Sequence, residues 1–145
     1  MKAVVQRCLS ARVEVESQVV GSIGQGFTVF LGVAQGDDTA CAVKLAAKIA
    51  ALRIFSDAEG RFNLSLRDVQ GSALVISNFT LCGDARKGNR PSFTGAASPS
   101  EANHLYESFA KLLSEQGVPV ARGVFGADMR VHVENDGPVT LILEA

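Results

Sequence analysis

The chain contains no tryptophan, only two histidines and only three cysteines among its 145 residues. Cys8, Cys41 and Cys82 lie far apart and form no CxxC pair, which argues against a disulfide framework or a zinc site. With His104 and His132 as the only imidazoles, a histidine-rich metal centre is not expected either. We therefore predict reduced thiols, no metal and no cofactor.

Excess charge and long apolar runs are also missing. The formal net charge is −1, whereas proteins that wrap long nucleic acids carry a basic excess, so we expect no DNA partner, and any RNA would be held locally. The longest apolar run, residues 27–34, is too short to span a bilayer, and the first residues become polar before a signal-peptide core could develop. We predict one cytoplasmic domain spanning residues 1–145, without membrane contact.

The apolar pattern predicts strands near both ends and in the middle of the chain. Residues 12–16 and 129–134 alternate between apolar and polar side chains, as half-buried strands do, whereas residues 27–33 and 72–76 carry apolar residues on both faces, as buried strands do. A turn at residues 135–138 is expected to lead into a last strand, residues 139–143.

Two helices are expected between these strands. The first follows capping residues at 37–39 and is predicted to bury Val43, Ala46, Ala47 and Ala50. The second has Ser98 as N-cap, Pro99 at its first position and Glu101 as the capping-box residue, and it is predicted to bury Ala102, Leu105, Phe109 and Leu112. The order of elements, with strands before, between and after the two helices, indicates an α/β or α+β domain.

Two segments stand out, residues 77–81 (Ser-Asn-Phe-Thr-Leu) and residues 135–140 (Asn-Asp-Gly-Pro-Val-Thr). Each joins an apolar run to small hydroxyl, amide or Gly-Pro residues that expose backbone N–H and C=O groups. Apart from Asp136, neither offers a cysteine, histidine or carboxylate suited to ordinary nucleophilic or general-base catalysis. The residues alone leave two interpretations open. One is an active site built from main-chain atoms; the other is an ordinary strand end, with Phe79 in the core, and an ordinary hairpin turn.

The same segments resemble the signatures of the D-aminoacyl-tRNA deacylases, Ser-Gln-Phe-Thr-Leu and Asn-x-Gly-Pro-Val-Thr. The second is intact here, whereas Asn78 stands where the family usually has glutamine. The resemblance runs collinearly over essentially the whole chain and includes residues 4–7, 63–66, 87–93, 105–106 and 125–129.

The resemblance implies a compact, barrel-like α/β domain with two main helices that forms a homodimer, with each active site at the subunit interface. The implied reaction is hydrolysis of the ester joining a D-amino acid, or glycine, to the terminal adenosine of tRNA, assisted by the ribose 2′-hydroxyl. The implied catalytic segment is Ser77, Asn78, Phe79 and Thr80, with backbone amides near Phe79 and Thr80 binding the carbonyl.

The implied chiral filter is a cis Gly137–Pro138 element that enters the partner's pocket and excludes L-amino acids, supported by Arg7. The remaining substrate-binding positions carried over from the family are Met129, Asn135, Val139 and Thr140. Lys87 and Arg90, in the flexible and cationic loop of residues 82–97, are hypothetical contacts to tRNA phosphates.

Two alternatives remain. Because of Asn78, the protein could be a catalytically weak module that binds the acceptor end of tRNA. The other alternative is an esterase that uses the Thr80 hydroxyl as a nucleophile.

Overall fold

The computed structural model describes residues 1–145. Six strands form one strongly curved sheet: β1 (Lys2–Val15), β2 (Gln18–Ile23), β3 (Gly26–Gly32), β6 (Ser72–Ser77), β7 (Val120–Arg122) and β8 (Arg130–Glu144). In this sheet β1 pairs with β8 along one side and with β3 and then β2 along the other. β3, β6 and β7 run parallel to one another, and the other pairs are antiparallel.

The ends of this sheet approach each other closely. A Cβ atom on Gly21 of β2 would lie 2.5 Å from the carbonyl oxygen of Arg122 in β7, so only glycine lets these two strands come together. The sheet is therefore a nearly closed barrel, and the predicted compact α/β domain with two main helices is confirmed. A smaller core fills its interior, formed by Cys8, Ala11, Val13, Leu74 and Ile76.

A larger core lies between the sheet and the two helices, α1 (Thr39–Ala50) and α2 (Pro99–Glu115). A short hairpin made of β4 (Phe55–Ser56) and β5 (Phe62–Leu64) packs at its border. No helix is both long enough and apolar enough to cross a membrane.

The first helix begins as predicted but buries a different face. Asp38 is its N-cap, and its carboxylate accepts a hydrogen bond from Cys41 N at 3.0 Å. The prediction that Val43 and Ala47 are buried is wrong, because both are exposed. The buried face is set by the bulkier Leu45 and Ile49, together with Ala42, Ala46 and Ala50.

The second helix confirms its predicted N-terminus. The Ser98 and Glu101 side chains form the full capping box, and Pro99 occupies the first turn. Its buried residues are Ala102, Leu105, Tyr106, Phe109, Ala110 and Leu113, whereas Leu112 is only partly buried. The Tyr106 hydroxyl donates to the Val75 carbonyl at 3.0 Å, and burial raises the pKa of Tyr106 to about 12.

The predicted hairpin turn at residues 135–138 is wrong, because β8 runs through this region as one strand. Residues 130–134 pair with residues 10–14 of β1, and residues 140–144 pair with residues 2–6. Between them the ladder is interrupted opposite Arg7. The Asn135 side-chain amide replaces the lost ladder bonds by donating to the carbonyl oxygens of Arg7 at 2.9 Å and Val139 at 3.1 Å.

Candidate active site

The first segment lies where β6 ends and a short 3₁₀ helix, Phe79–Cys82, begins. Asn78 N donates to the Leu31 carbonyl at 2.8 Å, which fastens the segment to the neighbouring strand β3. A Cβ atom on Gly32 would lie 3.1 Å from Asn78 O and 3.0 Å from Leu81 Cβ. The close approach of two backbones therefore fixes the segment in place.

The Asn78 side chain caps the 3₁₀ helix. Its Oδ1 accepts from Thr80 N at 3.2 Å and from the Thr80 hydroxyl at 2.5 Å. Both Thr80 donors are thus engaged, and their acceptor is an amide oxygen, which is no general base. By contrast, Phe79 is the first residue of the 3₁₀ helix, so no carbonyl of that helix accepts from its N–H, and no side chain or turn, loop or cap carbonyl does either. This segment therefore presents one free main-chain donor and no activated nucleophile.

A largely apolar cavity of about 500 Å³ opens beside this donor, within the size range of small-molecule sites. Of the predicted site residues, it brings together Ser77, Asn78, Phe79 and Met129, whereas Thr80 does not line it. Its other lining residues are Phe30, Ile76, Gly126, Ala127 and Val131.

The exposure of two phenylalanines that line this cavity was not evident from the sequence. Phe79 is 57% exposed, so the interpretation of Phe79 as a core residue is wrong. Phe30 was not predicted as a site residue, because it lies in a run that is apolar on both faces and thus looked fully buried. It is only partly buried and lines the cavity, and nothing in the run distinguishes it from its neighbours.

The second segment lies elsewhere in the same chain. The Gly137–Pro138 peptide bond is cis, as the resemblance implies, and Gly137 has a φ of 124°, which favours glycine. Gly137, Pro138 and Thr140 are exposed, Asn135 is partly buried and Val139 is buried. None of these residues lines the cavity of their own chain.

Arg7 lies beside this second segment and is only 8% exposed. Its Nη1 donates to the Ile54 carbonyl at 2.6 Å, and its Nε lies 2.9 Å from Asp136 Oδ2. The second contact is an ion pair without hydrogen-bond alignment, because Nε has no acceptor of suitable geometry. The Phe62 ring, which sequence reasoning missed, covers the guanidinium at 5.4 Å from its centroid.

The cationic loop leaves two of its three charges unpaired. Asp84 and Ser92 hold its base through two backbone hydrogen bonds, and the Arg86 guanidinium holds the pKa of the Asp84 carboxyl well below its usual range. Lys87 and Arg90 are exposed and make no ion pair. The loop returns at Phe93, whose ring meets that of Phe79 edge-on at 5.2 Å between centroids. The loop thus begins and ends beside the cavity.

The chain is similar to known proteins over nearly its whole length. A family model described as D-Tyr-tRNA(Tyr) deacylase matches residues 4–144. A Geobacter sulfurreducens protein named D-aminoacyl-tRNA deacylase is 55% identical over 99% of this chain and 95% of its own length. A protein of the same name from Pelobacter propionicus is 58% identical over 99% of both chains.

Two solved structures share the fold. One, titled c-Myc DNA Unwinding Element Binding Protein, superposes with a TM-score of 0.93 at 39% identity and covers 100% of this chain and 99% of its own. The other, titled a probable eukaryotic D-amino acid tRNA deacylase, has a TM-score of 0.83 at 17% identity, covering 99% of this chain and 98% of its own. At that identity the second likeness shows the fold alone.

Proposed function

The chain belongs to the family of D-aminoacyl-tRNA deacylases, which are hydrolases, and we propose that it cleaves its substrate with a main-chain N–H as the group that binds the reacting carbonyl. The observation that carries this proposal is that Phe79 lines the cavity while its N–H, at the start of the 3₁₀ helix, has no acceptor within that helix. An ester is already an activated acyl group, so an oriented water and one preorganised donor can supply the catalysis.

In this reaction the carbonyl oxygen of the aminoacyl ester accepts the hydrogen bond from Phe79 N. The 2′-hydroxyl of the terminal ribose orients the attacking water. As water adds to the carbonyl carbon, negative charge develops on the oxygen held by the N–H. The bond between the carbonyl carbon and the 3′ oxygen of the ribose then breaks, and that oxygen takes up the proton lost by the attacking water. The products are the free amino acid and the tRNA.

Chirality is read by exclusion, using Gly137 and Pro138 of a second copy. This pair is exposed and does not line its own chain's cavity, so it reaches the substrate from a partner in a homodimer. Carbonyl oxygens of the pair would hold the α-amino group and leave no room for an L side chain. Glycine has no side chain, so glycyl-tRNA would also be hydrolysed.

A suitable contact surface adjoins the cavity. The strand register places Ile76, Phe30, Val4 and Ile142 side by side across β6, β3, β1 and β8, on one face of the sheet. Ile76 and Phe30 line the cavity, and Ile142 at the far end of the row is 73% exposed. An apolar row that leads out of a largely apolar cavity to an exposed isoleucine is what a second copy would cover.

The acceptor end of tRNA would lie along the cationic loop, with Lys87 and Arg90 contacting phosphates. A net charge of −1 fits a protein that grips only this end of the RNA and no DNA, and a tRNA substrate places the protein in the cytoplasm.

The test follows hydrolysis of D-Tyr-tRNA, Gly-tRNA and L-Tyr-tRNA by the wild type and by Pro138→Ala. We expect the wild type to hydrolyse the first two much faster than L-Tyr-tRNA, and Pro138→Ala to hydrolyse all three at comparable rates. Binding of acceptor-stem RNA without any turnover would instead support the non-catalytic module, and unchanged selectivity of Pro138→Ala would refute exclusion by the Gly-Pro element.

Mixing two variants tests whether the element acts between chains. Phe79→Pro lacks the carbonyl-binding N–H, whereas Pro138→Ala retains it but lacks the filter. In mixed dimers, the Pro138→Ala cavity receives an intact Gly-Pro element. L-Tyr-tRNA hydrolysis should therefore fall relative to D-Tyr-tRNA hydrolysis as the Phe79→Pro chain is added. A constant ratio would show that each chain filters its own cavity.

A further inference from the structure

The β4–β5 hairpin is rigid and anchored. Its turn is closed by Asp57, whose carboxylate accepts from Glu59 N at 3.0 Å and Arg61 N at 2.9 Å. The Phe55 ring stacks on Phe27 of β3, with 5.1 Å between centroids and 7° between ring planes. The hairpin can therefore fix the position of a side chain that packs against its outer side.

Both sides of this hairpin contact Arg7. The Ile54 carbonyl, just before β4, accepts from the guanidinium, and the Phe62 ring from β5 lies over its face. Phe62 is 57% exposed, so burial in the core does not account for the position of this side chain in β5. The contact with Arg7 is therefore the interaction that this ring makes in place of core packing.

Arg7, held by the hairpin, in turn contacts the segment that contains the Gly-Pro element. Its guanidinium pairs with Asp136, and a Cβ atom on Gly137 would lie 3.3 Å from Nη2. The guanidinium thus occupies the space directly beside the Gly137 backbone. Asp136 fills the variable position of the Asn-x-Gly-Pro-Val-Thr signature, so the signature itself does not specify this ion pair.

We propose that Phe62 is a positioning residue for chiral selection, which acts by fixing the Arg7 guanidinium and, through it, Gly137 and Pro138. This inference rests on the proposed function, because it assumes that the Gly-Pro element excludes L-amino acids. Loss of the ring leaves Arg7 free to tilt away from the Gly137 backbone. The element then moves within the pocket, and L side chains gain entry.

The test compares Phe62→Ala with Phe62→Tyr, which retains the ring, and with Val43→Ala, which removes an exposed apolar side chain from α1. The readout is the ratio of kcat/KM for L-Tyr-tRNA to that for D-Tyr-tRNA. From the usual strength of a cation–π contact, we expect Phe62→Ala to raise the ratio by about threefold to thirtyfold. The two controls should keep the wild-type ratio. A merely structural defect lowers both rates together and leaves the ratio unchanged.

Two further results separate this inference from the proposed function. If Pro138→Ala raises the ratio but Phe62→Ala does not, the positioning role of Phe62 is refuted and the Gly-Pro filter stands. If Pro138→Ala has no effect, both fall. Should Phe62→Ala fail to fold, Phe62→Leu keeps apolar volume without the aromatic face, and an unchanged ratio in that variant refutes the proposal equally.

Discussion

Replacing Phe79 by proline removes the one main-chain donor on which the proposed chemistry depends. Phe79 is the first residue of the 3₁₀ helix, a position that tolerates proline, and the preceding Asn78, with a φ of −144° and a ψ of 88°, lies outside the α region that a following proline disfavours. Because the Phe79 N–H has no protein acceptor, its removal breaks no hydrogen bond of the fold. The substitution therefore tests chemistry rather than folding.

Phe79→Ala is the matched control, since it removes the same exposed ring and the same contact with Phe93 but keeps the N–H. Loss of the ring contact should lower the free energy of unfolding by about 1 kcal/mol in both variants. Loss of an oxyanion-binding donor costs about 3 to 4 kcal/mol in the transition state, so Phe79→Pro should be about a hundredfold to a thousandfold slower than Phe79→Ala.

The measurement is a single-turnover deacylation time course on D-Tyr-tRNA, with urea unfolding of each variant alongside. Equal rates in the two variants, with both folded, would refute carbonyl binding by this N–H. A proline variant that is slow only because it is unfolded would show a lower urea midpoint than the alanine variant.

Three other substitutions separate the remaining roles. Asn78→Gln should lower the free energy of unfolding by about 1 kcal/mol because glutamine caps poorly, yet change the deacylation rate by less than about fivefold, since the free N–H belongs to Phe79. Thr80→Val should retain most of the deacylase activity. Complete loss of activity in this variant would instead support the hypothesis that the Thr80 hydroxyl is the nucleophile. Replacing both Lys87 and Arg90 by alanine should weaken acceptor-stem binding. It should also reduce the slope of log affinity against log salt concentration by about two. Arg86→Ala removes a cation that is already paired with Asp84 and should have a smaller effect.

Elements fixed by neighbouring residues were predictable from the sequence. The start of α2 was correct in detail, because Ser98, Pro99 and Glu101 determine it among themselves. The buried face of α1 was assigned partly wrongly because alanines occur on several of its faces. Which alanines are buried depends on where Leu45 and Ile49 meet the rest of the core.

The candidate site was predictable as a set of segments but not as an arrangement. Asp-Gly-Pro ordinarily ends a strand, and here β8 continues because Arg7 and Asn135 meet across the sheet, 128 positions apart in sequence. The exposure of Phe79 likewise depends on the loop that returns at Phe93. Side chains such as Phe62 carry no local sign of their role, since their partner is fixed only by the fold.

The continuity of β8 limits how the chain can change in length. Val131 lines the cavity and Gly137 begins the Gly-Pro element, so the two lie six residues apart on one strand, or about 20 Å. A single inserted or deleted residue between them would turn every following side chain to the opposite face of the sheet. Among related chains, length differences should therefore collect in the loop of residues 83–97 and be missing between positions 131 and 137. This stretch of β8 is a spacer whose length matters more than most of its side chains.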